Sequence, residues 1–215
     1  MSLSTSILSF ATIHVPLTLC QDKLDIYLIE FKIMSKQAVV VVDLQNEYLP
    51  TGKLPLVNIE AALDNAAKVI EHARQHAIPV IHIRHEFLDP EISFFVKNTE
   101  GVEIIETVVP VANECVITKN YPNSFLKTDL DAHLKEQGIE QLTIIGAMSH
   151  MCIDATTRAA SDLGYKCTVV EDACTTMNLV FNGQVVEAAQ VHAAFMAALA
   201  FAYAEIATTK QLLEN

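Results

Sequence analysis

The chain has 215 residues, of which 51% are hydrophobic, enough to bury the core of one domain of ordinary size. Its formal net charge is −12 and no stretch concentrates lysine or arginine, so neither nucleic acid nor an anionic membrane surface is an expected partner. Five cysteines without a Cys-x-x-Cys pair or a zinc-type spacing suit a reducing compartment, and we expect a cytoplasmic protein.

The first 33 residues differ in composition from the rest of the chain. They are rich in serine and threonine, and no lysine or arginine occurs before Lys23. A signal peptide would need a positive n-region and a small-residue cleavage site, and neither is clear. We therefore expect residues 1–33 to be an extension that is not native or is disordered, with an ordered strap as the alternative, and residues 34–215 to form the domain.

Strand-like and helix-like segments alternate from residue 38 onward. Continuous apolar, β-branched runs predict strands, and apolar residues at helical spacing predict helices. In chain order we predict strand 38–43, helix 60–77, strand 79–84, an irregular stretch, strand 115–119, helix 128–137, strand 142–146, helix 152–163, strand 166–171 and helix 184–203. Apolar strands separated by helices predict a three-layer α/β/α fold around a central, mostly parallel sheet.

Three reactive residue types lie at or just after the ends of predicted strands: Asp43 ends the first, Lys119 ends the third, and Cys152 follows the fourth. A parallel sheet brings the carboxyl ends of its strands to one edge, where such folds place their chemistry. Cys152 lies where a helix is predicted to begin, and a helix N-terminus lowers the pKa of a thiol toward neutrality. The alternative, a small buried core cysteine, is the commoner fate of a free cysteine. The convergence favours a catalytic Cys152.

The same architecture can bind nucleotides or metals. The chain has only six glycines and lacks both Gly-x-Gly-x-x-Gly and Gly-x-x-x-x-Gly-Lys, which disfavours dinucleotides and ATP. His82, His85 and Asp89 could form a metal site, although His82 is expected inside a strand. We expect neither a cofactor nor a metal.

Three separated motifs carry a family resemblance. They are Val-Val-Asp-Leu-Gln-Asn-Glu-Tyr at 41–48, Thr-Lys-Asn-Tyr-Pro-Asn-Ser-Phe at 118–125, and Gly-Ala-Met-Ser-His-Met-Cys-Ile-Asp-Ala-Thr at 146–156. In this order the motifs resemble the isochorismatase-like cysteine hydrolases, which include nicotinamidases, N-carbamoylsarcosine amidohydrolases and streptothricin hydrolase. Segments 169–173 and 192–194 agree further, so the resemblance covers roughly residues 37–213.

The resemblance implies the isochorismatase-like fold, with Rossmann-like topology, and a catalytic triad of Asp43, Lys119 and Cys152. It also implies a non-proline cis peptide between Ala147 and Met148. The N–H groups of Met148 and Cys152 would then form the oxyanion hole. Related nicotinamidases hold a metal with Asp-x-His and a second histidine. Because no Asp-x-His lies between the first two strands here, we do not expect nicotinamide as the substrate.

These residues together suit hydrolysis of a C–N bond in a small amide, carbamoyl compound or lactam. Cys152 would attack the carbonyl with Asp43 as base and Lys119 as support, and water would then hydrolyse the thioester. Two alternatives stay open. One is isochorismatase-type vinyl-ether hydrolysis, which does not need the cysteine, and the other is a non-catalytic thiol redox or partner-binding module on the same fold.

Substrate contacts are expected near the strand ends and in the irregular stretch 85–110, which should line or cover the pocket. The candidates are Gln45, His85, Phe87, Phe94, Tyr121, Phe125 and His150. The apolar segment 191–204 has no charged residue and is too short to span a bilayer. Together with the resemblance, it predicts a homodimer or homotetramer.

Overall fold

The computed structural model describes residues 37–89 and 91–214. The expected extension at residues 1–33 lies outside these ranges, so its nature stays a prediction. No helix in the described ranges is long and apolar enough to cross a membrane.

The described domain alternates strands and helices, as predicted. The strands are β1 Gln37–Val42, β2 Val80–His85, β3 Cys115–Lys119, β4 Gln141–Ala147, β5 Lys166–Thr175, β6 Leu179–Phe181, β7 Gln184–Val186 and β8 Ala204–Ala207. The α-helices are α1 Ile59–Gln75, α2 Leu130–Glu136, α3 Asp154–Asp162, α4 Ala188–Ala202 and α5 Thr209–Leu213. Six strands pair in parallel in the order β3-β2-β1-β4-β5-β8, which confirms the predicted fold class.

Helices cover both faces of the sheet because its central strands are buried on both sides. In β1, Val39 and Val41 pack in the core that includes α1 and α5, whereas Val40 and Val42 pack in the core that includes α2, α3 and α4. The alternation follows from the two-residue period of a strand. The result is the expected three-layer α/β/α arrangement, and it fixes the strand ends that carry the candidate site.

The predicted helix 184–203 is wrong at its beginning. Gln184–Val186 forms β7, which pairs with β6 in an antiparallel hairpin, and α4 begins only at Ala188. Asn182 and Gly183 at the tip both have positive φ, 50° and 76°. An Asn-Gly pair between two apolar runs is a strong hairpin signal. The sequence therefore predicted this hairpin, but the segment was assigned to the helix instead. The short elements β8 and α5 were also not predicted.

The segment around Cys152 differs from the predicted helix 152–163. A π-helical turn, Ser149–Ile153, follows β4 and leads directly into α3. The π-helix is rare, occurs mostly as a single turn, and is frequent at functional sites. Cys152 therefore lies within a wide turn between a strand and an α-helix, and we call Ser149–Ile153 the nucleophile turn below.

Candidate active site

Four strand ends meet at the carboxyl edge of the sheet and carry the candidate residues. Asp43 directly follows β1, His85 ends β2, Lys119 ends β3, and the nucleophile turn follows β4. His85 and Lys119 are paired directly across β2 and β3. The structure thus brings Asp43, Lys119 and Cys152 together as expected from parallel strands, and it adds His85 to them.

The Lys119 ammonium is the centre of this group. Its side chain is completely buried, and Nζ lies 2.8 Å from Asp43 Oδ2 and 3.2 Å from Cys152 Sγ. It also lies 2.9 Å from His85 Nδ1 and 3.1 Å from the Tyr121 carbonyl oxygen. An ammonium has three N–H donors and no acceptor, so four acceptors compete for three protons.

The charges of this group act on one another strongly because the site is dry. Burial opposes the charge of Lys119, but the charge of Asp43, with the close contacts to Asp43 and Cys152, raises the pKa of the lysine. Burial, and then the charge of Lys119, lower the pKa of His85 to about 4. At neutral pH the site therefore holds a charged lysine beside a neutral imidazole, which accepts a hydrogen bond from Lys119 through Nδ1.

The thiol of Cys152 contradicts one expectation from the sequence. We expected a helix N-terminus to lower its pKa, but the pKa is raised, first by burial and then by the charge of Asp43, against the smaller opposite effect of Lys119. The side chain is only 5% exposed. Loss of hydration outweighs the lysine and the helix end here, so Cys152 rests as a neutral thiol.

Asp43 is held in an unusual backbone conformation. Its φ of 54° lies in the left-handed region, which non-glycine residues rarely adopt and which is enriched at functional sites. Its N–H donates to the Ile83 carbonyl oxygen at 3.0 Å, and its carbonyl oxygen accepts from Gln45 N–H at 2.9 Å. Apart from the ion pair with Lys119, neither carboxylate oxygen accepts a well-directed hydrogen bond from the described residues, so both keep lone pairs for a proton.

The nucleophile turn is fixed through the carbonyl of Met148. That oxygen accepts hydrogen bonds from the N–H of Met151 at 3.0 Å and from the N–H of Ile153 at 3.2 Å. Neither bond uses the N–H of Cys152, which lies between these two residues in the chain. The peptide bond between Ala147 and Met148 is cis, which confirms the expectation from the resemblance. Gly146 precedes it with φ +127°, and a Cβ there would lie 2.0 Å from the Val42 carbonyl oxygen.

Three possible metal ligands converge in the site. Asp43, His85 and Cys152 each offer one ligand atom, and these atoms lie within 4.8 Å of one another. Lys119 Nζ is within 3.2 Å of a ligand atom of all three. The ammonium thus takes the place of a cation among them, and a metal ion would have to displace it. Of the other two ligands considered, His82 is buried inside β2 and pairs with Glu114 at 3.0 Å, and the exposed Asp89 accepts a hydrogen bond from the N–H of Glu91 at 3.0 Å.

Gln45 has a different role from the substrate contact expected for it. The buried side chain donates from Nε2 to the carbonyl oxygens of His85 at 2.9 Å and Val102 at 2.8 Å. Its Oε1 accepts from the N–H of His85 at 2.8 Å. Both amide protons are therefore used on the backbone. Gln45 positions the end of β2, and with it the His85 ring, rather than facing a ligand.

Aromatic rings surround His85. Phe87 lies edge-on to the imidazole at 4.4 Å between centroids, and Phe94 packs on Phe87 at 5.3 Å. Phe95 is buried and lies 5.5 Å from His85. Phe87 and Phe94 are only partly buried. The other ring nitrogen, His85 Nε2, is buried and has no partner among the described residues.

Three further predicted contacts have partners of their own. Tyr121 contributes its carbonyl oxygen to Lys119, while its hydroxyl lies 3.1 Å from Lys127 Nζ. Phe125 stacks on Tyr165 at 6.0 Å and packs against the core, which gives it a structural role. His150 Nδ1 lies 2.6 Å from Thr176 Oγ1, and burial lowers the pKa of the ring.

Tyr48 is a buried residue that the list of candidates missed. It is 2% exposed, and burial raises the pKa of its phenol. The residue belongs to the motif at 41–48, so the motif was the available signal. A neutral phenol here can only donate or accept a hydrogen bond.

Fold and site together define an α/β protein with a buried carboxylate, ammonium and thiol at the carboxyl edge of a parallel sheet. The family profile of the isochorismatase domain matches residues 37–211. The chain belongs to the isochorismatase family, whose members are hydrolases and include amidases that act on C–N bonds.

Individual relatives agree with this membership. The isochorismatase family protein YddQ of Bacillus subtilis is 50% identical over 177 residues, 82% of this chain and 98% of its own. A crystal structure from Oleispira antarctica, assigned to an isochorismatase hydrolase, is 48% identical with a TM-score of 0.82, covering 85% of this chain and 98% of that one. The N-carbamoylsarcosine amidase of Thermoplasma acidophilum is 28% identical with a TM-score of 0.70, covering 82% and 97%.

Proposed function

We propose that the protein is a cysteine hydrolase that cleaves a C–N bond in a small amide, carbamoyl compound or lactam through a thioester on Cys152. The observation that carries the proposal is the position of Lys119 Nζ, 2.8 Å from the Asp43 carboxylate and 3.2 Å from the Cys152 sulfur in a fully buried site. A dry site with an acceptor carboxylate, a thiol and a fixed cation can deprotonate the thiol and stabilise the charge that results.

The first step joins proton transfer to nucleophilic attack. Because the thiol rests neutral, its proton passes to Asp43 as the sulfur forms a bond to the substrate carbonyl carbon. The carbonyl π electrons move to oxygen, and the N–H groups of Met148 and Cys152 are the proposed donors to that oxyanion. Lys119 loses the carboxylate charge beside it and keeps its contact with the sulfur.

The second step breaks the C–N bond. As the oxyanion collapses, the bonding electrons leave with the nitrogen, and Asp43 returns its proton to that nitrogen. Ammonia or an amine departs and the acyl group stays on Cys152 as a thioester. Asp43 is again an ion-paired carboxylate, ready to act as a base once more.

Water completes the cycle by the same route in reverse. Asp43 takes a proton from water as the oxygen attacks the thioester carbon. The second tetrahedral intermediate collapses with release of the acid, and the sulfur recovers a proton from Asp43. No step needs an oxidant, a reductant or a metal ion, and we propose no cofactor.

The surroundings of His85 support a substrate with an acceptor atom near an apolar group. With Nδ1 accepting from Lys119, the neutral ring carries its proton on Nε2, which is buried without a partner. A carbonyl or carboxylate oxygen of the substrate could accept that proton, while Phe87 and Phe94 contact its apolar part. The partner we propose is thus a small molecule, not a nucleic acid or a membrane.

An ammonia-release screen over small amides, ureido acids and lactams tests the proposal. Cys152→Ala and Asp43→Asn should each lower kcat at least about 10³-fold without loss of the fold, because members of a nucleophile–base unit fail together. Cys115→Ala, a cysteine outside the site, is the matched control and should keep full activity. Mass spectrometry of wild type quenched in turnover should show the acyl adduct on Cys152.

Two outcomes would contradict the proposal. Vinyl-ether hydrolysis that survives in Cys152→Ala would favour isochorismatase chemistry, since that reaction needs no thiol. Turnover of an amide by Cys152→Ala at more than about a tenth of the wild-type rate would remove Cys152 from the reaction.

A further inference from the structure

A second chain of polar side chains lies behind the nucleophile turn. Ser149 Oγ is 2.8 Å from His192 Nδ1 and 3.2 Å from the Thr175 carbonyl oxygen. On the other side of the ring, His192 Nε2 is 3.3 Å from Glu171 Oε2. The chain joins the nucleophile turn to α4 through His192 and to β5 through Glu171 and Thr175.

The order serine, histidine, carboxylate is that of a catalytic triad, but the burial of Ser149 argues against a second nucleophile. Its side chain is 0% exposed, and Oγ is held by both a carbonyl oxygen and an imidazole nitrogen. The serine follows Met148, a proposed oxyanion donor, and precedes Cys152 by three residues. Anything that fixes Ser149 therefore fixes the backbone on which both groups depend.

We infer that Ser149, His192 and Glu171 are positioning residues that hold the nucleophile turn in its reactive geometry. The inference rests on the proposed function, since it supplies a reason for the turn to be held. A displacement of about 1 Å in a reactive group can lower the rate by about 100-fold, which sets the scale of the expected effect. Ser149 Oγ has one contact with β5, through the Thr175 carbonyl oxygen, and one with α4, through His192.

Solvent reaches the outer end of this chain. His192 is 21% exposed in its side chain and Glu171 37%, and both line a cavity of about 360 Å³ that also contains Asn58 and Asn65. The inner end at Ser149 is closed. An imidazole-sized molecule could therefore enter a space left by removal of the His192 ring, whereas nothing can replace the Ser149 hydroxyl.

The test compares Ser149→Ala and His192→Ala with Gln190→Ala, an exposed residue on the same helix. We expect both positioning variants to lose about 10- to 100-fold in kcat with little change in KM, and Gln190→Ala to match wild type. Added imidazole should restore part of the kcat of His192→Ala and none of that of Ser149→Ala. The double variant should match Ser149→Ala, because that single change already removes the contact with His192.

A second readout needs no substrate and so separates this inference from the proposed function. Iodoacetamide labelling of Cys152 at alkaline pH, followed by mass spectrometry, should become several-fold faster in both variants, because a loosened turn exposes the sulfur. Slower turnover with faster alkylation at an unchanged melting temperature supports the inference. Variants that match wild type in both rates, or that lose kcat in proportion to lost folded protein, would overturn it.

Discussion

At the level of single residues, burial decides the state of the candidate nucleophile. Lys119 and the following helix both favour a thiolate at Cys152, yet loss of hydration and the adjacent Asp43 charge raise the thiol pKa. A cysteine that was already deprotonated in the resting enzyme would also react with any electrophile that entered the site. A neutral thiol that loses its proton only during attack is reactive toward a bound substrate and inert otherwise.

Alkylation of the resting enzyme should therefore avoid Cys152. Among the cysteines in the described ranges, Cys115 is the most exposed, while Cys152, Cys167 and Cys174 are buried. Limiting iodoacetamide at about pH 7 should label Cys115 before Cys152, Cys167 or Cys174 and leave activity intact, because access and thiolate fraction both favour it. Peptide mapping decides the order. Early loss of activity with label on Cys152 would show a lowered thiol pKa after all.

His85 predicts an acid limit for stability. Its pKa is about 4 in the folded protein against 6.5 as a free side chain, so the ring is neutral in both states above that higher value. As pH falls from about 6.5 toward about 4, the unfolded chain binds a proton that the folded protein does not, and stability is lost. Urea unfolding of wild type should show this decrease in the free energy of unfolding. The decrease should be smaller in His85→Asn and unchanged in His76→Asn, an exposed control. An equal slope in all three would exclude His85 as the cause.

At the level of elements, the contact between β1 and β4 sets the geometry of the site. Gly146 in β4 pairs directly with Val42 in β1. Val42 immediately precedes Asp43, and Gly146 lies three residues before the nucleophile turn. The lack of a side chain lets the two backbones approach at this point. Any atom added there would separate the base from the nucleophile turn.

Gly146→Ala and Gly138→Ala form a matched pair that tests this contact. Both glycines have positive φ, but a Cβ at Gly146 would lie 2.0 Å from the Val42 carbonyl oxygen, whereas nothing lies within 4 Å at Gly138. Gly138→Ala should lower the free energy of unfolding by about 1–2 kcal/mol, which is the penalty for placing a non-glycine residue in the left-handed region. Gly146→Ala should lower it several times more, or prevent folding. Chemical denaturation of both variants measures the difference, and equal costs would contradict the close approach.

Much of this arrangement could be predicted from the sequence. Apolar β-branched runs gave the strands, and the rule that parallel strands end at one edge placed Asp43, Lys119 and Cys152 together. The His192 link to Ser149 could not be predicted, because it joins residues 43 positions apart through the packing of α4. The thiol pKa depends on the depth of burial, which no local pattern encodes. The hairpin at Asn182-Gly183 could have been predicted from its Asn-Gly pair, but part of it was assigned to a helix.

At the level of the whole molecule, several large apolar side chains remain exposed in the described chain. Phe201 at the end of α4 is 90% exposed, and Val180 and Phe181 in the hairpin are 71% and 72% exposed. Large exposed apolar side chains commonly mark contacts between proteins. The exposed face of α4 carries no charged residue, which removes the cost of burying charge there.

We therefore propose a homodimer or homotetramer in which these side chains are covered. Light scattering at micromolar concentration should give at least twice the monomer mass of 23.7 kDa. Phe201→Lys should shift the mass toward the monomer, whereas Leu126→Lys, an exposed apolar position in the loop after β3, should not. A monomeric wild type would contradict the proposal directly.

The buried group around Lys119 has one consequence for the molecule as a whole. In the proposed cycle, one negative charge moves from Asp43 to the oxyanion and back while the ammonium stays, so the interior never gains or loses net charge. The formal net charge of the chain, −12, therefore affects the approach and binding of a charged substrate rather than the chemical steps. Added salt should leave kcat within about two-fold, while it lowers KM for anionic substrates and raises KM for cationic ones. A kcat that changes strongly with salt would mean that net charge enters or leaves the site during the reaction.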